Sequence, residues 1–377
     1  MNQEVDLLQK VRDLEPIVER ETLRCQEAHQ MTPEMADALQ GAGLFWMNVP
    51  QELGGFDVHP RTRVEVIEEL SRQDGSIGWT YMAIAGYMGY VSCGVEDEAA
   101  KNIFSDPEVK IAGMANPVGT IIDKEDGTFQ VHGNYKFGSG VPQADWIAVG
   151  GFVQGGPNDG ESLCAVVPVA NADLKGNWNP IGLIGTGSVD YDIPEQSVPT
   201  SYSFNVGNYQ ARRGGPAGRM DFFSTAMIYH SAVCLGVTKR ALEEIVKVVD
   251  EGKKRPNAPH LREQQLFLHD FAQHEGKFQA IRSRLMEQME EAYAAAQNGD
   301  ALTEVQAGRF RQTASIIHRI GMDAIEFAYF WGGSASLRQP TVLGRCMLDM
   351  HALNNHILVD ATNFTDPALI LMGEYRR

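Results

Sequence analysis

The chain has 377 residues, 43% of them apolar and 21% charged, with 49 acidic against 32 basic side chains and a formal charge of −17. That length exceeds what one hydrophobic core usually supports, so two or three packed units are expected. The apolar fraction excludes a disordered chain, and so acidic a surface repels phosphate backbones and anionic lipid, which sets aside nucleic acid and membrane surfaces as partners. Five cysteines (Cys25, Cys93, Cys164, Cys234 and Cys346) are widely spaced, odd in number and without a CxxC pair. The pattern argues against a disulfide framework or zinc site and for a reducing cytoplasm. The opening stretch, MNQEVDLLQKVRDLEP, lacks the apolar core of a secretion signal.

The first third reads as helices. Val5, Leu7, Leu8, Val11, Leu14, Ile17 and Val18 recur at helical spacing. Thr32-Pro33-Glu34-Met35 supplies a cap followed by a proline in the first turn, and the helix it starts fades at Gly41 and Gly43. Leu44 to Pro50 reads as extended, and residues 60–73 are amphipathic again. Residues 76–94 are almost all small, apolar or aromatic; their glycines and serines, and their soluble neighbours, predict a buried helix and not a bilayer span. The period then changes. Residues 109–115, 129–137, 146–153, 163–169 and 196–205 are strand-like and separated by turn punctuation such as Asp126-Gly127 and Pro157-Asn158-Asp159-Gly160. From Gly214 onward, 218–250, 260–298 and 302–332 are long helical stretches, with a shorter helix over about 345–358, as in an antiparallel bundle. The expected fold class is mainly α with a central β domain. Residues 1–108 form a helical domain, 109–212 a small antiparallel β-barrel or sandwich, and 213–377 a four-helix bundle.

Within that order lie three motifs. Phe137-Gly138-Ser139-Gly140 is followed by Ala144-Asp145-Trp146-Ile147; Met114-Ala115-Asn116-Pro117-Val118-Gly119 precedes it; Gly185-Thr186-Gly187-Ser188-Val189-Asp190 comes after. Near the C-terminus Arg345, Asp349 and His356 are spaced by four and seven. In these features, and over nearly its whole length, the sequence resembles the acyl-CoA dehydrogenase superfamily, and within it the branch of two-component flavin monooxygenases. Departures are Leu348, where that branch usually has a second arginine, and Ile184, where a basic residue is frequent.

The resemblance implies an acyl-CoA dehydrogenase-like fold, commonly a homotetramer, and a flavin held against the FGSG segment. Phe137 packs on the isoalloxazine, and Ser139, two positions on and on the same strand face, hydrogen-bonds near N5. Asn116, Gly119 and Trp146 join the cofactor-binding set. Arg255, Arg262 and Gln264 stand where a neighbouring subunit meets the flavin phosphates. Trp79, Ser188 and His356 are the substrate-side residues, with His356 and Ser139 catalytic. Dehydrogenases of the superfamily often carry a glutamate base eight residues past the aspartate that matches Asp349; here that position is Ile357, preceded by His356. An imidazole, ordinarily titrating near pH 6.5, suits a phenolic proton better than the α-proton of a thioester. The implied activity is that of an oxygenase component. It takes FADH2 or FMNH2 from a separate flavin reductase, reacts with O2 through a flavin C4a-hydroperoxide, and hydroxylates an aromatic or polycyclic small molecule. Two alternatives stay open: an FAD-dependent acyl-CoA dehydrogenase with a displaced carboxylate, and a relative that has lost flavin. Each residue also has a plainer reading. Ser139 suits a turn, Phe137, Trp146 and Trp79 suit the core, and Arg262 suits a charged helix start.

Overall fold

Residues 3–252 and 258–376 are described by the computed structural model; Arg255 lies outside them. Six helices open the chain: α1 (Gln3–Asp13), α2 (Glu15–Ala28), α3 (Pro33–Gly41), α4 (Pro60–Gln73), α5 (Gly75–Gly94) and α6 (Asp97–Ile103). The Thr32 hydroxyl accepts the Met35 N–H, and Pro33 fills the first turn of α3, where a missing N–H costs nothing. Leu44 to Pro50 is not extended as its sequence suggests; it winds through a 3-10 turn at Leu44–Trp46. With no strand alongside, the backbone bonds locally instead, Met47 N–H to Leu44 and Val49 N–H to Trp46, while Leu44, Phe45, Met47 and Val49 are all buried. Helix α5 is capped by Asp74, whose carboxylate accepts the Ile77 N–H at 3.0 Å, and it lies in the core. Among the described residues no helix is long and apolar enough to cross a membrane.

The middle of the chain builds one seven-stranded sheet: β1 (Ile111–Asp123), β2 (Thr128–Gly138), β3 (Trp146–Gln154), β4 (Ser162–Pro168), β5 (Asp173–Leu174), β6 (Val189–Pro199) and β7 (Ser203–Asn205), in the order β5-β6-β2-β1-β3-β4-β7. Neighbours run antiparallel except β1 and β3, which are parallel, so the domain is mixed where uniform antiparallel pairing was expected. After the β1–β2 hairpin the chain crosses back through residues 139–145 and a 3-10 turn at Val141–Gln143 to take the other edge of β1. Ser139 sits at the start of that crossing. Strand β1 is irregular between Met114 and Gly119, so the Asn116 loop stands out from the ladder. The predicted strand 196–205 is two strands, because the chain turns after Pro199, which has no N–H to donate.

The rest is helical: α7 (Phe222–Asp250), α8 (Gln265–Asn298), α9 (Glu304–Gly332), α10 (Val342–Leu353), α11 (Thr362–Thr365) and α12 (Ala368–Gly373). Helix α7 packs against α9 on one side and α4 on the other, which ties the N-terminal helices to the bundle; α8 and α10 pack on α9. The helix expected over 345–358 stops at Leu353. Asn354 and Asn355, weak helix formers, close it, and His356 lies beyond its end at the head of a 3-10 turn, Ile357–Val359.

Candidate active site

Ser139 lies just past β2, where the strand breaks register between Tyr135 and Gly138. Phe137 has φ +59, a left-handed conformation that a bulky side chain rarely adopts, and the Ser139 N–H bonds back to the Phe137 carbonyl at 2.9 Å. Strand alternation therefore does not place Phe137 and Ser139 on one face, as their spacing suggested. The turn throws the Phe137 ring outward, 64% exposed and edge-on to Trp178, and buries Ser139.

A row of hydroxyls begins there. Trp79, on α5, donates its indole N–H to Ser139 Oγ at 2.8 Å. Ser139 Oγ and Ser188 Oγ are 2.7 Å apart, as are Ser188 Oγ and Thr186 Oγ1, and Thr186 Oγ1 lies 2.9 Å from the Leu183 carbonyl. A carbonyl can only accept, so Thr186 donates to it. Thr186 has no second hydrogen, so Ser188 donates to Thr186, and Ser139 to Ser188. The row is directed: Trp79 to Ser139 to Ser188 to Thr186 to Leu183. Ser139 has spent its own hydrogen and keeps a lone pair.

The Arg345–Asp349 pair brackets this row and does not enter it. Buried Asp349 accepts the Leu183 N–H at 2.6 Å, fixing the loop that carries Thr186 and Ser188; Leu183 itself has φ +53. Arg345 lies 3.3 Å from Asp74, the cap of the helix that carries Trp79. Burial, reinforced by the like charge of Asp74, pushes the Asp349 carboxyl up to about 7.

On its other side the Trp79 ring meets two imidazoles edge-on: His356 at 5.5 Å and His230, from α7, at 5.0 Å between centroids. The rings of His230 and His356 are 4.6 Å apart. His356 Nδ1 accepts the Leu358 N–H at 3.2 Å, so the neutral ring carries its proton on Nε2. Burial holds His356 and His318, on α9, down to about 4 and His230 well below its usual range, so all three are neutral at pH 7. His356 is therefore not the imidazole of ordinary pKa expected above: burial lowers it, and its free nitrogen is a donor. Among the described residues no group of three or more His, Cys, Asp or Glu is arranged to hold a metal ion.

The remaining expected residues lie elsewhere. Trp146, at the start of β3, stacks on Tyr202 at 5.8 Å. Gly119 is packed so that a Cβ there would meet the Tyr135 hydroxyl at 1.9 Å. Asn116 is exposed in the β1 irregularity. Arg262 is in the 3-10 turn before α8, and Gln264, just after that turn, donates to the Pro259 carbonyl. No hydrogen bond or ring contact among the described residues joins these five to the Ser139 row.

Residues 5–101 match the model of the acyl-CoA dehydrogenase N-terminal domain, and residues 228–361 that of the C-terminal domain. The chain belongs to the acyl-CoA dehydrogenase family. Within the family it is 25% identical to an indole-3-acetate monooxygenase of Pseudomonas putida over 369 residues, covering 98% of this chain and 92% of the relative. A second relative is the oxygenase subunit HsaA of a flavin-dependent monooxygenase from Mycobacterium tuberculosis, 28% identical over 51% of this chain and 49% of the subunit. The crystal structure of XiaF from Streptomyces sp. in complex with FADH2 and glycerol superimposes with a TM-score of 0.88 at 17% identity, covering 99% of this chain and 97% of that one.

The residues present fit a flavin, as this family membership implies. Phe137 offers an exposed aromatic face held by a strained backbone, and Ser139 next to it offers a lone pair with its hydrogen already committed. Nothing in the sequence marks Thr186, His230, His318 and Asn354 as parts of one assembly. His230 and His318 sit inside apolar helical runs of α7 and α9, and only the packing of those helices brings them to 2.9 Å.

Proposed function

We propose that this protein is the oxygenase component of a flavin-dependent monooxygenase that hydroxylates an aromatic small molecule, using O2 and reduced flavin delivered by a separate reductase. One observation carries the reading. The indole of Trp79 links a directed hydroxyl row that starts at Ser139 to a pair of neutral imidazoles, His230 and His356. The buried carboxylates nearby are otherwise engaged: Asp74 caps α5 and Asp349 holds Leu183. Ile357, where many of the superfamily's dehydrogenases place a glutamate base, is 72% exposed. The relatives named above are monooxygenases.

The bound flavin supplies activation of O2. Ser139 and Phe137 face the reactive edge of the ring. Asn116, Gly119 and Trp146, which no hydrogen bond or ring contact among the described residues joins to the Ser139 row, serve parts of the flavin away from that edge, and Arg262 and Gln264 serve the phosphates of a flavin in a neighbouring protomer of a homotetramer. Trp79, Ser188 and His356 form the substrate side. Here the His356 Nε2–H holds an oxygen or ring atom of the aromatic by a hydrogen bond, and the buried surroundings exclude water that would divert O2 to peroxide. Five free, buried cysteines suit a reducing cytoplasm.

The test is anaerobic titration with FMNH2 and FADH2, followed by rapid mixing with O2. A transient absorbance distinct from both reduced and oxidised flavin is expected, with hydroxylated product when indole-3-acetate is present. Direct reoxidation without a transient, together with anaerobic bleaching of bound FAD by an acyl-CoA, would overturn the reading in favour of a dehydrogenase.

A further inference from the structure

His230 is buried, and its two nitrogens differ. Nδ1 is 2.9 Å from His318 Nε2, and His318 Nδ1 is 2.8 Å from Asn354 Oδ1. An amide oxygen only accepts, so His318 carries its proton on Nδ1 and offers a lone pair at Nε2. His230 must then donate from Nδ1, which strips Nε2 of its hydrogen. That Nε2 is buried and has no hydrogen-bond partner among the described residues, a state it shares with several other buried side-chain atoms; what sets it apart is its place beside Trp79 and His356. The ring that bears it lies against Trp79 and against His356, whose own free nitrogen is a donor. One imidazole is thus fixed as an acceptor and its neighbour as a donor, on the wall assigned above to the substrate.

We propose that His230 is a further functional residue of this site, the proton acceptor beside His356, and that a relay running Asn354–His318–His230 sets its tautomer. The acceptor serves the hydroxyl or ring N–H of the aromatic directly, taking its proton onto Nε2, while the His356 Nε2–H donates to the substrate; this part rests on the monooxygenase reading. Neutrality of all three rings at pH 7, enforced by burial, leaves the acceptor unfilled before each turnover. His230 and His318 act as a positioned pair from two helices, α7 and α9, and Asn354 anchors the pair from the end of α10.

Long-range 15N–1H NMR of the full-length, deuterated protein with 15N-labelled histidine reads the tautomers without flavin or substrate. At pH 7 the expected result is Nδ1–H with a bare Nε2 for His230 and His318, and Nε2–H for His356. The resonances are assigned through His230→Gln and His318→Gln. A proton on His230 Nε2, or a charged ring, overturns the proposal. Asn354→Leu should introduce the second His230 tautomer while leaving the circular dichroism unchanged; an unaltered tautomer overturns the relay. In the oxygenation assay with indole as probe, His230→Gln should lower kcat roughly 100-fold, the size of a lost general base, with KM changed less than two-fold. Added imidazole should partly restore His230→Ala. Wild-type kcat in His230→Gln overturns the acceptor role. Absence of indole oxygenation by the wild type instead counts against the proposed function, and the NMR result then decides this proposal alone.

Discussion

Phe137 is the residue whose local conformation conflicts most plainly with its identity. A left-handed backbone at a bulky side chain costs on the order of 1–2 kcal/mol, and here the ring gains little in return from burial. Phe137→Gly should therefore raise unfolding stability by about 1 kcal/mol in a urea titration, while flavin affinity falls. A loss of stability would mean that the ring's contact with Trp178 outweighs the strain. The neighbouring hydroxyls show how much a sequence can say at this scale. Ser139 and Ser188 stand in recognisable motifs, so their involvement was legible. The direction of their hydrogen bonds was not, because it follows from Thr186 meeting the Leu183 carbonyl, a fact of loop geometry.

The elements around the site are clamped by Arg345 and Asp349, which reach from α10 to the cap of α5 and to the Leu183 loop. The clamp has a pH signature. Asp349 is raised from 3.8 to about 7, so its contribution to stability is fullest below pH 3.8 and is lost as pH rises to 7. The shift corresponds to about 4 kcal/mol. Asp349→Asn, which keeps an acceptor for the Leu183 N–H, should melt progressively higher than wild type as pH climbs from 4 to 8. Parallel melting curves across that range would refute the assignment. The spacing of Arg345, Asp349 and His356 was readable, but their division of labour was not. Helix α10 ends at Leu353, so His356 leaves the helical surface on which the spacing would otherwise place it.

Across the whole molecule the α–β–α order and the long bundle helices were legible because their hydrophobic periods are strong. The parallel β1–β3 pairing was not, since period-2 alternation is blind to strand direction. Nor was the meeting of His230 with His318, which depends on how α7 and α9 are rotated against each other. That meeting also shapes acid stability. His318 is held at about 4 against an ordinary 6.5, so its stabilising effect is complete above pH 6.5 and disappears as pH falls to 4, on the order of 3 kcal/mol. His318→Gln should flatten the loss of melting temperature between pH 7 and 5, and an equally steep loss would exclude His318 as its source. Under the function proposed above, the hydroxyl row has a further consequence for the exchange of flavin. Reduced flavin bears a hydrogen on N5 and oxidised flavin does not, and with the flavin placed as proposed, Ser139, its own hydrogen committed to Ser188, would accept a hydrogen bond only from the former. A hydrogen bond of about 1 kcal/mol, plus the mismatch of two facing lone pairs, amounts to roughly ten-fold or more in affinity. Dissociation constants measured for FMNH2 and FMN should differ in that sense, and Ser139→Ala should narrow the gap. The enzyme would then grip its courier when loaded and let it go when spent.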